Sequence, residues 1–440
     1  MIRKFKLFFT RWDGQKIFNV VSGVVLVALI FFYSTRFLKL YFYNKDSSDG
    51  TIDSLVYKIQ QNSSLVKHNT NYVFRGSNVA NYLLYSNRLW RIVGITTDNN
   101  LRVVSNEAQA IMAFGDAENI TKSNIFKWLN SDVFLNTFND KDKYLVHSAV
   151  CKDIVDNIND AGNCNEVSTE NYVSMLGIDD FVGSNVSDSY LVNGQYSYLA
   201  NSKSDNTKWY INNEGKLAVS ESDDLLGIRP VITINGSVSL ISGDGSKDNP
   251  YIVEEDTNDV SFGDTVKLGD DYYYIYQVED DIVRLIMKDI YKINDEDFEN
   301  IYSSGDVSYD VQDTKSVAYY LNNTFYNKLS YKDNLVTCDW YYNEYGNNND
   351  FDYQFNRNNK SSNKVGMYRI GNILIGSEVG DYFTMSTSSK TTKQIYVIKE
   401  NGKVFIQDVS DKAKVRPAVC IAKSDLISGD GTSSNPWGVE

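Results

Sequence analysis

What this chain has little of narrows its chemistry before any motif is sought. Histidine occurs twice in 440 residues, as His68 and His147. A Ser-His-Asp or Cys-His site would have to use His147, and no nucleophile-elbow pattern surrounds any serine. Cysteine occurs four times with no C-x-x-C spacing, so neither a zinc knuckle nor a dithiol redox motif is indicated. Walker, dinucleotide-binding and H-E-x-x-H patterns are absent. No catalytic residue and no cofactor is therefore expected. Positive charge is also short: 43 Lys and Arg stand against 57 Asp and Glu, a net charge of −14. Eight of those cations fall in residues 1–45, which leaves 35 against 56 acids in 46–440. A surface that acidic repels nucleic acid, and no such partner is expected.

Against this background one long apolar run stands out. From Ile17 to Tyr33 the chain carries no charge and only Asn19 and Ser22 interrupt it. The length reaches the short end of the ~17–25 residues that cross a bilayer as a helix. The bulky residues after Ala28 offer no small-x-small cleavage site, so a retained anchor is expected rather than a removed signal. Five Lys and Arg precede the run and three follow it, which favours the N-terminus inside. The reading is a cytoplasmic stub at 1–16, a transmembrane anchor at 17–43 that makes the membrane a partner, and a stalk at 44–70. The rest would lie outside, giving a single-pass protein of the cell membrane. Disulfides persist on that side. Cys151 and Cys164 bracket a short polar loop and are expected to pair. Cys338 with Cys420 is left open, because Cys420 sits in a strand-like run.

An internal repeat organises the remainder. Residues 239–254, SLISGDGSKDNPYIVE, and 425–440, DLISGDGTSSNPWGVE, agree at ten of sixteen positions. Just upstream, GIRPVITI (227–234) answers KVRPAVCI (414–421). All four prolines, Pro230, Pro250, Pro417 and Pro436, occupy paired positions in these stretches. Further back, Phe126-Lys-Trp-Leu-Asn pairs with Ala318-Tyr-Tyr-Leu-Asn, where Ile125, Trp128, Leu129 and Val133 have helical spacing. LWRIVGI (89–95) with LRVV (101–104) matches YYYIYQV (272–278) with VRLI (283–286), each reading as a β-hairpin. The expected fold class is α+β: two tandem, homologous, strand-rich domains at 71–255 and 256–440, each with at least one helix and each closed by a hairpin.

Tyr82 to Ile95 and the two closing motifs carry a resemblance. The chain resembles an uncharacterised family of membrane-anchored surface domains of low-GC Gram-positive bacteria. The resemblance spans 72–440 and implies a fold near the C-type-lectin-like fold of formylglycine-generating enzymes, with no established activity. None of the four cysteines matches the enzymes' cysteine pair. The second copy departs where Trp90-Arg91 becomes Tyr273-Tyr274.

Few residues invite a chemical role. Arg229 and Arg416 each precede a proline in an apolar run and are read as buried structural arginines paired to an acid, with bidentate capture of an anion as the other reading. Asp244, Asp248 and Asn249, with Asp430 and Asn435, offer hard oxygens suited to calcium, but Gly-Asp-Gly between strands is a turn by its own chemistry. The second loop has Ser434 where the first has Asp248. Carboxylates are plentiful without a spacing that singles out a pair. The function expected is binding or adhesion toward a glycan or protein ligand. An accessory part of an envelope filament or secretion assembly, and an extracellular hydrolase or modifying enzyme, are the alternatives.

Overall fold

The computed structural model describes residues 54–254, 259–342, 344–345, 359–376, 380–388, 393–399, 401 and 403–439. The expected architecture is corrected on two counts. Strand outweighs helix by 38% to 15%, spread over several sheets, and most helices are short pieces of one or two turns, the continuous segment from Val317 to Lys328 being longer. Among the described residues no helix is long and apolar enough to cross a membrane, so the single-pass membrane location is not supported. The apolar run at 17–43 and the stub before it lie outside the described residues. Residues 54–70 do not form a stalk. Ser54 caps the helix Leu55–Gln60, whose Leu55 and Ile59 are fully buried. Leu65–His68 then pairs with Asn71–Phe74, which joins the main sheet by setting Val73 opposite Gly94.

The repeated motifs become the same strands twice. In the first half, Arg88–Ile95 pairs with Tyr82–Tyr85 on one side and Leu101–Ser105 on the other. Pro230–Ile234 continues the sheet beside Leu101–Ser105 and pairs on its far side with Val173–Met175. In the second half, Asp271–Val278, Thr265–Leu268, Ile282–Met287, Ala418–Ala422 and Val365–Gly366 take the same order. The register repeats to the residue: Trp90 faces Ser105 as Tyr273 faces Met287. A bulge follows Ile92 in one and Ile275 in the other. A smaller sheet repeats too, with Ser197–Ser202, Thr207–Ile211 and Leu217–Glu221 answered by Tyr382–Ser388, Gln394–Ile398 and Val404–Asp408.

The Leu-Asn of the helical motif explains its own repetition. Asn130 donates from Nδ2 to the carbonyl of Val173 at 2.9 Å and accepts from the Val173 N–H at 3.1 Å. Asn322 does the same to Val365, both at 3.0 Å. Each asparagine holds a strand backbone to the helical segment, Asn130 from its C-cap and Asn322 from its interior. An amide has the one side chain that can donate and accept in a single plane.

The closing motif does not form the expected hairpin with Pro230–Ile234 or Ala418–Ala422; its own arms meet at single antiparallel bridges, Ser242 with Ile252 and Ser428 with Gly438. Tyr251–Ile252 pairs parallel with Tyr82–Tyr85, and Trp437–Gly438 pairs parallel with Thr265–Leu268, so each half's last strand lies beside the strand that opens its repeat. Gly243 and Gly245 sit at φ +97° and +81°, Gly429 and Gly431 at +93° and +81°. A Cβ on Gly243 would fall 1.9 Å from the Pro250 carbonyl oxygen, and one on Gly429 2.2 Å from that of Pro436. Only glycine fits such a backbone. The loop then offers the Gly245 carbonyl to the Tyr82 N–H at 2.9 Å, as Gly431 does to Thr265 at 2.7 Å.

The hydrophobic cores are two clusters that interlock. Trp90, Trp128 and Trp209 belong to the first, yet so does Ile373, while Ile111, Ala113 and Leu225 pack into the second. Backbone bonds cross as well: the Leu374 N–H donates to Gln109 O at 2.8 Å and that of Tyr196 to Asn401 O at 3.1 Å. Residues 54–440 accordingly form one compact unit.

Candidate functional site

The residues singled out from sequence divide by what they touch. Asp244 accepts from the Ser246 N–H at 2.9 Å, and that bond, with those of the Ser246 and Asn249 side chains, holds its carboxyl below the usual range. Asp430 accepts from Asn435 Nδ2 at 3.0 Å and from the hydroxyl and N–H of Thr432, with the same consequence. Asn249 closes its loop by offering its carbonyl to the N–H groups of Asp244 and Gly245, and Asp248 is exposed. The oxygens read as calcium candidates are thus turned onto their own loops. Among the described residues, the one group of metal-ligand atoms within 4.8 Å is Cys151, Asp153 and Cys164. Its sulfurs are joined to each other. Cys338 and Cys420 form the second disulfide.

Arg229 and Arg416 are buried, but no acid meets them: among the described residues neither makes an ion pair. Arg229 donates from Nε to Ser105 O at 2.9 Å and from Nη1 to Leu191 O at 2.6 Å. Arg416 donates to Met287 O, Ile375 O and Lys288 O at 2.7, 3.0 and 3.2 Å. Carbonyls at the end of a strand take the place of the expected carboxylate. Desolvation, with Arg91 nearby, pushes Arg229 down to about 10. His68 lies in a strand of the main sheet with its Nε2 3.1 Å from Asp179 Oδ1, and His147 packs edge-on against Tyr172.

A cleft of about 460 Å³ opens where the hairpin, the closing loop and the segment around residue 190 meet. Its centre is Arg91, held by Nε to Asn81 Oδ1 at 2.7 Å. The guanidinium lies over the Tyr82 ring at 3.8 Å and the Tyr190 ring at 5.0 Å. Such stacking favours a planar, weakly hydrated cation. Burial lowers the pKa of Arg91 and raises that of Tyr190. Around this stack, Asn106, Glu107, Asn193, Gln195 and Lys247 supply polar groups, and Asn401 reaches in from the second half. Asn193 Nδ2 donates to Asn106 O at 2.7 Å and to Gln195 Oε1 at 3.1 Å, while Gln195 Oε1 accepts from the Ala108 N–H at 2.9 Å. The amides are thereby fixed in orientation. Neither histidine lines the cleft.

Tyr82 and Arg91 belong to the motif that carried the family resemblance, and Lys247 to the closing loop. Tyr190, Asn193 and Gln195 lie in a stretch without a repeat partner or a recognisable pattern, so nothing in the sequence marked them. No family model, no curated protein and no solved structure matches the chain.

Proposed function

We propose that the protein binds a glycan, without turning it over, through the Tyr82–Arg91–Tyr190 cleft. The observation that carries this reading is the half-buried Tyr82 ring, backed by the buried Arg91 guanidinium and Tyr190, beside a rim of oriented amides. Tyrosine presents rigid amphipathic area to a sugar face, and fixed donors and acceptors select its hydroxyls. The polar groups are already committed to geometry and need little ordering on binding. Lys247 and Glu107 bring opposite charges to one rim, which suits a neutral or zwitterionic ligand. Two disulfides agree with a chain that matures under oxidising conditions.

The test is a glycan array probed with the full chain, followed by titration of the strongest binder. Tyr82→Ala and Lys247→Ala should each weaken that binder about tenfold or more, a change of roughly 1.4 kcal/mol. Loss of no affinity in either variant, or a steady rate of glycan cleavage, would overturn the proposal.

A further inference from the structure

The two halves differ at one matched position in a way that leaves a slot. Arg102 and Arg284 occupy the same place in the sheet, opposite Thr233 and Cys420 on the matching strands. Each also donates from Nη1 to the same backbone carbonyl of its half, Ala149 O and Asp339 O, both at 3.3 Å. In the first half the chain satisfies this arginine itself. Asp180, on the helix Ile178–Gly183, takes Nε at 3.1 Å and Nη2 at 2.8 Å, a bidentate pair.

The second half keeps the position of Asp180 and drops its charge. Asp180 accepts from the Gly177 N–H at 2.8 Å, and Asn372 accepts from the Arg369 N–H at 2.9 Å. By that bond Asn372 stands where Asp180 stands, and Arg369 where Gly177 stands. The carboxylate has become an amide and the glycine a second guanidinium. Among the described residues, no helix follows Arg369 and no strand lies beside Gln277 as Asn71–Phe74 lies beside Gly94. The space that the first half fills with its own chain is here a cleft of about 500 Å³. Arg284 turns its Nε to Glu279 at 2.7 Å, and Arg369 lies over the half-buried Tyr341 ring at 5.4 Å. Asp339, the other acid on the wall, is held by Lys360 at 2.7 Å and Ser362 at 2.5 Å. The cleft wall thus carries two arginines and two acids, with Glu279 paired to Arg284 and Asp339 to Lys360.

We propose that this cleft binds a carboxylate-bearing sugar, its carboxylate seated against the guanidiniums of Arg284 and Arg369 beside Asn372. The half-buried Tyr341 offers ring surface beside the Arg369 guanidinium, and the amides of Gln277 and Asn372 address hydroxyls. The volume suits a mono- or disaccharide. This second site does not depend on the Tyr82 cleft.

Calorimetric titration of the full chain with D-glucuronate, D-glucose and the dipeptide Ala-Asp tests it. Glucuronate should bind saturably, and glucose at least tenfold more weakly. N372D, which restores the first half's carboxylate, should weaken glucuronate at least tenfold while the thermal midpoint holds or rises. R369G, which restores the first half's glycine, should weaken it comparably and decides the matter if N372D does not fold. The inference is overturned if glucuronate does not bind, if glucose or Ala-Asp binds as well, or if N372D and R369G bind like the parent. Glucuronate binding that falls with Tyr82→Ala and not with N372D belongs to the first cleft and overturns it too.

Discussion

At one junction the halves solve the same problem with different bonds. Leu145 faces Ile234, and Leu335 faces Ile421, in matching antiparallel contacts. Three residues further on stand Ser148 and Cys338. Ser148 shares a hydrogen bond of 2.9 Å with Thr233, and Cys338 is bonded to Cys420, the counterpart of Thr233. A hydroxyl pair and a disulfide thus join the same two strands. The elements that do not vary are the asparagine that grips the backbone and the glycines that turn the closing loop. Groups that meet a backbone at a fixed angle leave few alternatives, whereas a contact between two side chains can be remade by any pair of suitable size.

That comparison can be broken experimentally. Cys338→Ser with Cys420→Thr installs the first half's hydroxyl pair in the second. The bond spans a sequence separation of 82. Its loss should cost about 4–5 kcal/mol in the chain-entropy model, less roughly 1 kcal/mol returned by the hydrogen bond. Guanidinium unfolding of the full chain reads the difference. Removing the Cys151–Cys164 bond, with a separation of 13, should cost about 3 kcal/mol. Because the cores interlock, fluorescence from both halves should then report one shifted transition. Two separated transitions would show that the halves unfold independently.

The asparagines come next. Asn130→Ala and Asn322→Ala should each cost about 2 kcal/mol, since each strands a donor and an acceptor of the strand it holds. Equal losses support a shared frame, and a neutral effect in one half would break the correspondence there.

The smallest effect concerns Lys208, buried among Ala117 O, Ser202 Oγ, Ser204 O and Asp205 O at 2.7–3.1 Å. Its counterpart is Ile395, since Ser202 faces Lys208 as Thr387 faces Ile395. Desolvation lowers the lysine from 10.5 to about 8. Between those values the unfolded chain binds more protons than the folded one, so this residue's contribution to stability rises with pH there. The cost is fully present below the window. Lys208→Met should flatten that rise when unfolding midpoints are compared at pH 7.5 and 10.

Sequence exposed the repeat because Gly243, Gly245, Pro250 and their partners answer to backbone geometry, which tolerates few substitutions. It exposed Asn130 and Asn322 as a repeated pair without their purpose, since the backbone they hold lies 43 residues away in each half. The strand Leu65–His68 was read as stalk because its burial is only partial and its pattern weak. The acid expected beside Arg229 and Arg416 was an inference from charge alone, and strand-end carbonyls carry no signature in a sequence. The same holds for both clefts: Arg284 and Arg369 become neighbours only through strand pairing.

The parallel contact between the strand that opens each repeat and the last strand of that half has a mechanical meaning. In the second half the chain enters at the start of Thr265–Leu268 and leaves after Trp437–Gly438, so tension along the polypeptide would slide these strands past each other rather than peel them apart. In the first half Tyr82–Tyr85 and Tyr251–Ile252 share that geometry, but Leu65–His68 and Asn71–Phe74 come before them in the same sheet and take the load first. Hydrogen bonds sheared together must yield together, whereas bonds unzipped in turn yield singly. The second half therefore resists traction at this seam, and single-molecule extension of the full chain should meet a main force peak when it parts.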